Sequence, residues 1–321
     1  MKIQKQFRLS GLILILSSVL VSGFVLDYTK YHLMAIKKPA DLHNIFKYTG
    51  EKANFVSAHR GGSLPGFPEN CISTFENTLK STFAIMEIDP RWTKDSLMVL
   101  HHDPTLGRTV DGKGPIIDYT LAELQKMKLK DSKGKVTDLH MPTFDEALEW
   151  AKGKTVLVID QKDVSAKDRL RKAEEHKCIQ NVILIVYSFE DAQLCYRLNN
   201  DVMMEVMIPT VEKVLEFDKA GVPWKNVVAF VGHQVPEDPN LYRMIHERGA
   251  LCMAGSSRNV DLKFLRGQTN DISSLKGEYM DLFAKGVDLI ETDIPCQLGP
   301  LINPDLPSGS ALKKYFKEKS F

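Results

Sequence analysis

A chain of 321 residues is long enough for one large domain or two small ones, and its fractions of apolar (43%) and charged (26%) residues are those of a globular protein. Basic and acidic residues nearly balance, and the net charge of +1 excludes the broad basic surface of a nucleic-acid-binding domain. Any phosphate that this protein binds must therefore be met by a local cluster of side chains.

The N-terminus has a basic segment followed by an apolar one. Lys2, Lys5 and Arg8 precede the run GLILILSSVLVSGFVL, which ends at Leu26, and this order is typical of a signal peptide. The run is shorter than the roughly 20 apolar residues of a membrane span. We expect residues 1–26 to direct export to the periplasm or the extracellular space. A retained anchor that attaches the protein to a membrane is the alternative, and a buried helix is the third.

Apolar runs typical of buried strands recur along the rest of the chain. They are FVSA (55–58), FAIMEID (83–89), TVLVID (155–160), VILIVY (182–187), VMMEVMI (202–208), VVAFV (227–231), ALCMA (250–254) and VDLIETD (287–293). Continuous apolar runs indicate strands that are covered on both faces. Amphipathic stretches such as TFDEALEWAK (143–152) and AKDRLRKAEEH (166–176) lie between them and predict helices.

Eight strand–helix units in about 250 residues predict an α/β protein with a (β/α)8 TIM-type barrel. The alternative, a doubly wound sheet, lacks its phosphate-binding signature, because no GxGxxG follows the first strand. We expect a linker over residues 27–52, one barrel domain without a large insertion over 53–305, and a basic tail over 306–321 that forms a solvated helix or a frayed end.

The five cysteines show no CxxC pair and no repeated spacing, which argues against a zinc site and against a disulfide scaffold. We expect most of them to be small core residues. They are Cys71, Cys178, Cys195, Cys252 and Cys296.

Polar side chains of the types that catalyse reactions or bind ions cluster where the predicted strands end. They are His59 and Arg60 after the first strand, Glu87 and Asp89 on the second, Asp160 and Lys162 at the third, and His102 and Asp103 after the extended run LMVLHHD (97–103). In a barrel of this type the carboxyl ends of the strands face the active site. We therefore expect these side chains to lie close together.

Carboxylates that meet at the ends of buried strands need a positively charged partner. Unpaired buried carboxylates are costly, and Glu87, Asp89 and Asp160 would repel one another unless a cation joined them. Oxygen ligands favour a hard divalent ion, Mg²⁺ or Ca²⁺, over zinc. An ion, an arginine, a lysine and two imidazoles can together cleave a phosphodiester, because cations neutralise the phosphoryl oxygens while the imidazoles exchange protons.

Seven motifs, in order along the chain, resemble those of the glycerophosphodiester phosphodiesterase family. They are HRGG…PEN from His59, EIDPRWTKD from Glu87, HDPTLGRTVDGKG from His102, DLHMPTFDEAL (138–148), DQK at Asp160, YSF at Tyr187 and GVDLIETDIP from Gly286. The resemblance runs from about residue 55 to residue 296. It implies a phospholipase-C-like (β/α) barrel that cuts small-molecule glycerophosphodiesters into glycerol 3-phosphate and an alcohol, with a bound divalent metal.

The resemblance also implies a role for each matched residue. By motif, His59 and His102 form the acid/base pair, Arg60 and Lys162 contact phosphate, and Glu87, Asp89 and Asp160 bind the metal. Asp160 stands where the family usually has the longer Glu, so its reach to the ion depends on a small shift or a water. Glu69 is either a further metal ligand or a group that fixes Arg60 or the metal, and we favour the second.

Some choices stay open at the level of sequence. Ser256, Ser257 and Arg258 replace an aromatic segment of the family and form either a head-group contact or a plain polar loop, and His233 is either a site residue or a structural one. The alternative activities are phospholipase-like cleavage of lysolipids or phosphoinositides, and binding of phosphodiesters without turnover. The alcohol and the oligomeric state are not specified by the sequence.

Overall fold

The computed structural model of the chain describes residues 30–51, 53, 55–303 and 310–320. Within these residues the strands are β1 Lys30–Met34, β2 Val56–Ala58, β3 Ala84–Ile88, β4 Pro90–Trp92, β5 Met98–Leu100, β6 Thr105–Leu106, β7 Gly114–Pro115, β8 Leu157–Ile159, β9 Val182–Val186, β10 Met203–Met207, β11 Val227–Gly232, β12 Leu251–Gly255, β13 Leu289–Thr292 and β14 Phe316–Ser320. Eight of them form a closed barrel in the order β2-β3-β8-β9-β10-β11-β12-β13, with β13 returning to β2. All neighbouring barrel strands are parallel.

This architecture confirms the predicted (β/α)8 barrel, and each of the eight apolar runs corresponds to one barrel strand, with β11 and β12 extending one residue past their runs. The runs are apolar at successive positions because both faces of each strand are covered. On β3, for example, Met86 and Ile88 pack outward among the helices, whereas Ile85 packs into the barrel interior.

Helices alternate with the barrel strands and surround them. They are α1 Pro39–Ile45, α2 Ile72–Ser81, α3 Leu121–Leu124, α4 Phe144–Ala151, α5 Ala166–Glu175, α6 Phe189–Leu198, α7 Val211–Asp218, α8 Pro239–Glu247, α9 Val260–Leu265, α10 Lys276–Lys285 and α11 Pro295–Ile302. The two amphipathic stretches singled out in the sequence correspond to α4 and α5. Thr143 begins α4 with a capping box, in which its hydroxyl accepts from the amide of Glu146 and the Glu146 carboxylate accepts from the amide of Thr143.

One excursion at the carboxyl end of the barrel carries a predicted site residue. After β3 the chain leaves the barrel to form an antiparallel pair of β4 with β5. The backbone amide of His101 then donates to the carbonyl of Asp89 at 2.8 Å. This bond brings the following residue, His102, back to the rim beside the end of β3.

The opposite end of the barrel is covered by two segments from the ends of the described chain. β1 pairs antiparallel with β14, so that Met34 lies opposite Phe316. The Phe316 ring contacts Phe55 and Phe83 with centroid distances of 5.8 and 5.1 Å. Residues of β1 and α1 belong to the same buried cluster as the barrel interior.

Two sequence expectations differ from this arrangement. The expected linker over residues 27–52 contains β1 and α1, and the expected helical or frayed tail contains β14. The expected signal peptide or anchor lies outside the described residues and remains a prediction. Within the part of the chain that is described, every helix is too short or too polar to cross a bilayer. All five cysteines are buried and unpaired.

Candidate active site

A cavity of about 720 Å³ lies at the carboxyl ends of the barrel strands. The candidate residues at the strand ends line it with two exceptions. Asp89 is fully buried beneath Lys162, and Asp103 lies behind His102, which it contacts. The structure therefore brings together the side chains that the sequence placed at one rim.

The HRGG motif forms a tight turn directly after β2. Arg60, Gly61 and Gly62 have φ values of +53°, +82° and +85°, in the left-handed region that favours glycine. A Cβ atom on Gly62 would lie 2.2 Å from Cγ of Pro295. The glycines thus allow the chain to turn sharply against α11 while His59 and Arg60 stay at the cavity.

The imidazole of His59 is held by a carboxylate that directly follows β13, the last barrel strand in the chain. Its Nδ1 donates to Oδ1 of Asp293 at 2.6 Å, which leaves Nε2 for a bound substrate. Burial disfavours the charged imidazole, but the hydrogen bond that His59 donates to Asp293 and the charge of Glu291 outweigh it and raise the pKa of His59 above its usual value.

His102 is held by a second carboxylate, in a different environment. Its Nδ1 lies 2.8 Å from Oδ1 of Asp103, and Arg108 donates to both oxygens of that carboxylate at 2.7 and 3.0 Å. Burial outweighs the attraction of Asp89 and Asp103, so the pKa of His102 lies below its usual value. Arg91 fixes the loop by donating to the His102 carbonyl at 2.9 and 2.6 Å.

Three buried carboxylates meet on the cavity floor. Glu87, Asp89 and Asp160 each offer one oxygen, and these oxygens lie within 4.8 Å of one another. Lys162 lies 3.0 Å from Asp89 and also contacts Asp160, so it supplies part of the positive charge that the carboxylates need. Burial and the neighbouring carboxylates raise the pKa of Glu87 well above its usual range, although Glu87 accepts from the Arg60 amide at 2.8 Å.

This cluster fits a hard divalent ion. The donors are carboxylate oxygens, which Mg²⁺ and Ca²⁺ prefer. Lys162 offsets only one negative charge among three acidic residues, and Glu87 receives a single backbone amide. Tyr187 donates to Asp160 at 2.7 Å and orients the carboxylate that replaces the usual Glu.

Glu69 and Asn70 hold other side chains of the site in place: Glu69 accepts hydrogen bonds from two arginines, and Asn70 is bonded to Asp89. Glu69 accepts from Arg108 at 2.8 and 2.7 Å and from Arg60 at 3.4 Å, and it lies outside the three-carboxylate cluster. Asn70, at φ +54°, donates to Asp89 at 2.6 Å and accepts from the amide of the same residue at 3.0 Å. This geometry corresponds to the alternative in which Glu69 positions Arg60.

Four residues of the later strands and loops also have a place in the structure. Ser257, Arg258 and His233 line the cavity. Ser256 does not, because it is buried and its hydroxyl donates to the carbonyl of Glu291 at 3.0 Å. Burial and the positive charge of Arg258 lower the pKa of His233 to about 4, so this imidazole is neutral at pH 7.

Sequence reasoning did not single out four residues that the structure places at the cavity. They are Arg108, Glu205, Glu291 and Asp293. For Glu205 and Glu291 a signal was present, since each is a carboxylate inside an apolar run, the feature that drew attention to Glu87. Asp293 carried a signal too, because it ends the apolar run that contains Glu291, as Asp89 ends the run that contains Glu87. Arg108 carries no such signal because it lies in a polar loop.

A second group with metal-like spacing lies at the other end of the barrel. His246, Cys252 and Asp288 meet where β12 and β13 begin. Asp288 accepts from His246 at 2.8 Å and from the Cys252 amide at 2.7 Å. Burial raises the pKa of the Cys252 thiol, which keeps it protonated, and the ring of Tyr48 stacks on His246. The group therefore works as a structural contact of the barrel base.

A (β/α)8 barrel whose rim carries two carboxylate-bound imidazoles, an arginine, a lysine and an acidic cluster defines a class of hydrolase that acts on phosphate esters. The family model of the glycerophosphoryl diester phosphodiesterase family matches residues 59–261, more than half of the chain. The chain belongs to this family.

Similar proteins carry names from the same family. A crystal structure of a glycerophosphoryl diester phosphodiesterase from Parabacteroides distasonis is 36% identical, with a TM-score of 0.84 over 89% of this chain and 99% of that one. A glycerophosphodiester phosphodiesterase from Caldanaerobacter subterraneus is 36% identical over 104 residues, which is 32% of this chain. The chain spans less than half the length of that curated relative and of one from Bacillus subtilis, 42% and 44%.

One protein with a similar fold was solved with a small molecule bound. A phosphodiesterase from Oleispira antarctica in complex with the product sn-glycerol-3-phosphate has a TM-score of 0.58, over 77% of this chain and 96% of that one. At 19% identity it shows that the fold is shared.

Proposed function

We propose that this protein hydrolyses glycerophosphodiesters to sn-glycerol 3-phosphate and an alcohol, with a divalent ion held by Glu87, Asp89 and Asp160. The observation that carries the proposal is the pair of imidazoles in one cavity, each held at Nδ1 by its own carboxylate. Membership of the family and the names of its relatives support the substrate class.

The two imidazoles divide the proton transfers between them. His102, with its lowered pKa, is neutral at pH 7 and accepts a proton from the attacking water as the water oxygen bonds to phosphorus. His59, with its raised pKa, is the protonated partner and gives its proton to the alcohol oxygen as the bond from phosphorus to that oxygen breaks. Opposite pKa shifts in two titratable groups of one site are the usual mark of an acid/base pair.

The remaining polar groups bind and orient the phosphate. Arg60 and Lys162 line the cavity next to the acidic cluster and neutralise phosphoryl oxygens. A bound divalent ion would add positive charge at the same oxygens. Glu69 and Arg108 keep Arg60 and Asp103 in place through their shared ion pairs.

The test is turnover of a panel of glycerophosphocholine, glycerophosphoethanolamine, glycerophosphoinositol and lysolipids by the purified protein. We expect the glycerophosphodiesters to be hydrolysed, and we expect His59→Ala and His102→Ala each to lower kcat by about 10²- to 10⁴-fold while the protein stays folded. Preferred cleavage of lysolipids, a cyclic phosphate product or binding without turnover would each favour one of the alternatives. Near-normal turnover in either folded variant would remove that imidazole from its role.

A further inference from the structure

Two further buried carboxylates line the cavity, and the only role described above for either is the effect of the Glu291 charge on His59. Glu205 on β10 is 2% exposed and Glu291 on β13 is 5% exposed, yet both line the cavity. Oε2 of Glu205 has no hydrogen-bond partner among the described residues. The charged groups that act on Glu205 are Glu291 and Asp160, which are both acidic.

Such a pair is unfavourable for folding when nothing is bound. A buried carboxylate without a donor or a cation loses the hydration that it had in the unfolded chain and regains little in return. The same arrangement offers a ligand several acceptor lone pairs that have already been stripped of water. The geometry therefore points to a ligand that brings hydrogen-bond donors to this part of the cavity.

The spacing does not favour a second metal ion. Among the described residues, the only two groups that bring three ligand atoms within 4.8 Å of one another contain neither Glu205 nor Glu291. A ligand whose donors lie on separate atoms fits two carboxylates on different strands better than a single ion does.

The wall beside Glu205 is apolar. Ile185 lies opposite Glu205 in the register of β9 with β10, and Met207 lies opposite Phe230 in the register of β10 with β11. All three apolar side chains line the cavity. Carboxylate acceptors next to an apolar wall suit a small polyol, whose hydroxyls donate while its carbon atoms pack.

Resting on the function proposed above, we propose that Glu205 and Glu291 bind the hydroxyl groups of the substrate's glycerol unit, whose carbons pack against Met207 and Phe230. This subsite makes the protein selective for diesters that carry a vicinal diol. A site built to hydrogen-bond a hydroxyl discriminates strongly against analogues that lack it, because its own polar groups are then left unpaired.

The test compares two substrates in three variants. Glycerophosphocholine carries the diol, and bis(p-nitrophenyl) phosphate is a diester without it. We expect Glu205→Leu to lower kcat/KM for glycerophosphocholine by about 10- to 100-fold, as for a lost hydrogen bond to a charged group, and to leave kcat/KM for the aryl diester close to the parental value. Glu205→Gln, which keeps one acceptor oxygen, should lose less. Met203→Leu, also on β10 and in the barrel interior, is the control for repacking.

Stability and metal content separate this role from a structural one. Removal of an unpaired buried carboxylate should leave the Tm of Glu205→Leu equal to or above that of the parent. A lower Tm with equal losses on both substrates would overturn the inference. If Glu205→Leu also lost a second bound divalent ion, that would overturn the inference as well. So would a decrease in kcat/KM with glycerophosphocholine that is absent with glycerophosphoglycerol, whose alcohol is uncharged.

The inference and the proposed function fail in different ways. A parent protein that hydrolyses no glycerophosphodiester contradicts the function. Calorimetric titration with sn-glycerol 3-phosphate and with phenyl phosphate then still tests the subsite, because it needs no turnover. We expect Glu205→Leu to weaken binding of the first compound alone, and equal binding of sn-glycerol 3-phosphate by parent and variant would contradict the subsite.

Discussion

At the scale of single residues, the balance between burial and a neighbouring carboxylate sets the pKa of each imidazole. At His102 burial lowers the pKa, and the attraction of Asp89 and Asp103 does not outweigh it. At His59 burial acts in the same direction, but the 2.6 Å hydrogen bond to Asp293 and the negative charges nearby outweigh it and raise the pKa. The pKa values of the two imidazoles are therefore shifted in opposite directions within one site.

This difference predicts the pH dependence of kcat/KM. Activity should fall in acid as His102 takes up a proton, below the ordinary histidine pKa, and fall in alkali as His59 loses its proton, above that value. Asp293→Asn removes the carboxylate that raises the pKa of His59, so it should move only the alkaline limb, toward lower pH. A shift of the acid limb instead, or an unchanged profile, would contradict the assignment of acid and base.

A second prediction concerns Asp160, where the chain departs from the usual family residue. If Asp160 is a ligand, its charge matters more than its length, because the ion is attracted directly to the carboxylate while one added methylene is absorbed by a small shift. Asp160→Asn should therefore weaken Mg²⁺ or Ca²⁺ binding more than Asp160→Glu does, as measured by calorimetry. Parental affinity in Asp160→Asn together with weaker binding in Asp160→Glu would show that Asp160 is not a ligand.

At the scale of elements, the strand pair β1–β14 closes the end of the barrel opposite to the cavity. Phe316 on β14 is 7% exposed and packs against Phe55 and Phe83. We expect Phe316→Ala to lower the free energy of unfolding by about 3 kcal/mol, because it leaves a cavity among aromatic rings. Activity at a temperature where the variant is folded should not change, because the site is at the other end.

Urea unfolding and steady-state kinetics check this prediction together. Lys317→Ala, at the next and exposed position of the same strand, is the matched control and should change neither quantity. A Phe316→Ala protein as stable as the parent would mean that β14 does not cover the barrel in solution.

The elements also show which parts of the fold can be predicted from the sequence. The eight barrel strands are recognisable because strands covered on both faces must be continuously apolar. The sequence pattern does not predict β1 and β14. β14 is rich in charged residues, with only Phe316 buried, and its pairing with β1 joins residues as distant in sequence as Lys30 and Ser320. Local composition cannot reveal such a pairing.

The candidate site divides in the same way. His59, Glu87 and Asp89 lie at the ends of barrel strands, so the topology brings them to one rim. His102 follows β5, outside the barrel, and reaches the rim through the backbone bond from His101 to Asp89. Arg108 reaches the site from a loop, through bonds to Glu69 and Asp103 that only the folded chain displays. Glu205 could have been found, because a carboxylate within an apolar strand calls for an explanation wherever it occurs.

At the scale of the whole molecule, the barrel brings charged side chains from distant parts of the chain to one cavity, where negative and positive charges must balance. Carboxylates from β3, β10 and β13 and from the end of β8 face the same cavity, and Lys162 and Arg60 offset only part of their charge. We expect a divalent ion to supply the positive charge that is still needed.

We therefore expect chelation to abolish turnover of glycerophosphodiesters and added Mg²⁺ or Ca²⁺ to restore it. Metal content is measured alongside by mass spectrometry, so that incomplete removal of the ion is recognised. Full activity in a protein shown to hold no divalent ion would contradict the metal site.

The most direct measurement concerns the bond between phosphorus and the alcohol of a glycerophosphodiester, which we propose that this protein cuts. ³¹P NMR of glycerophosphocholine during incubation with the purified protein follows that bond directly. We expect the diester signal to be replaced by the monoester signal of sn-glycerol 3-phosphate, at a rate strongly reduced in His59→Ala and in His102→Ala. A diester signal that persists with every metal tested, or that is replaced by phosphocholine, would contradict it.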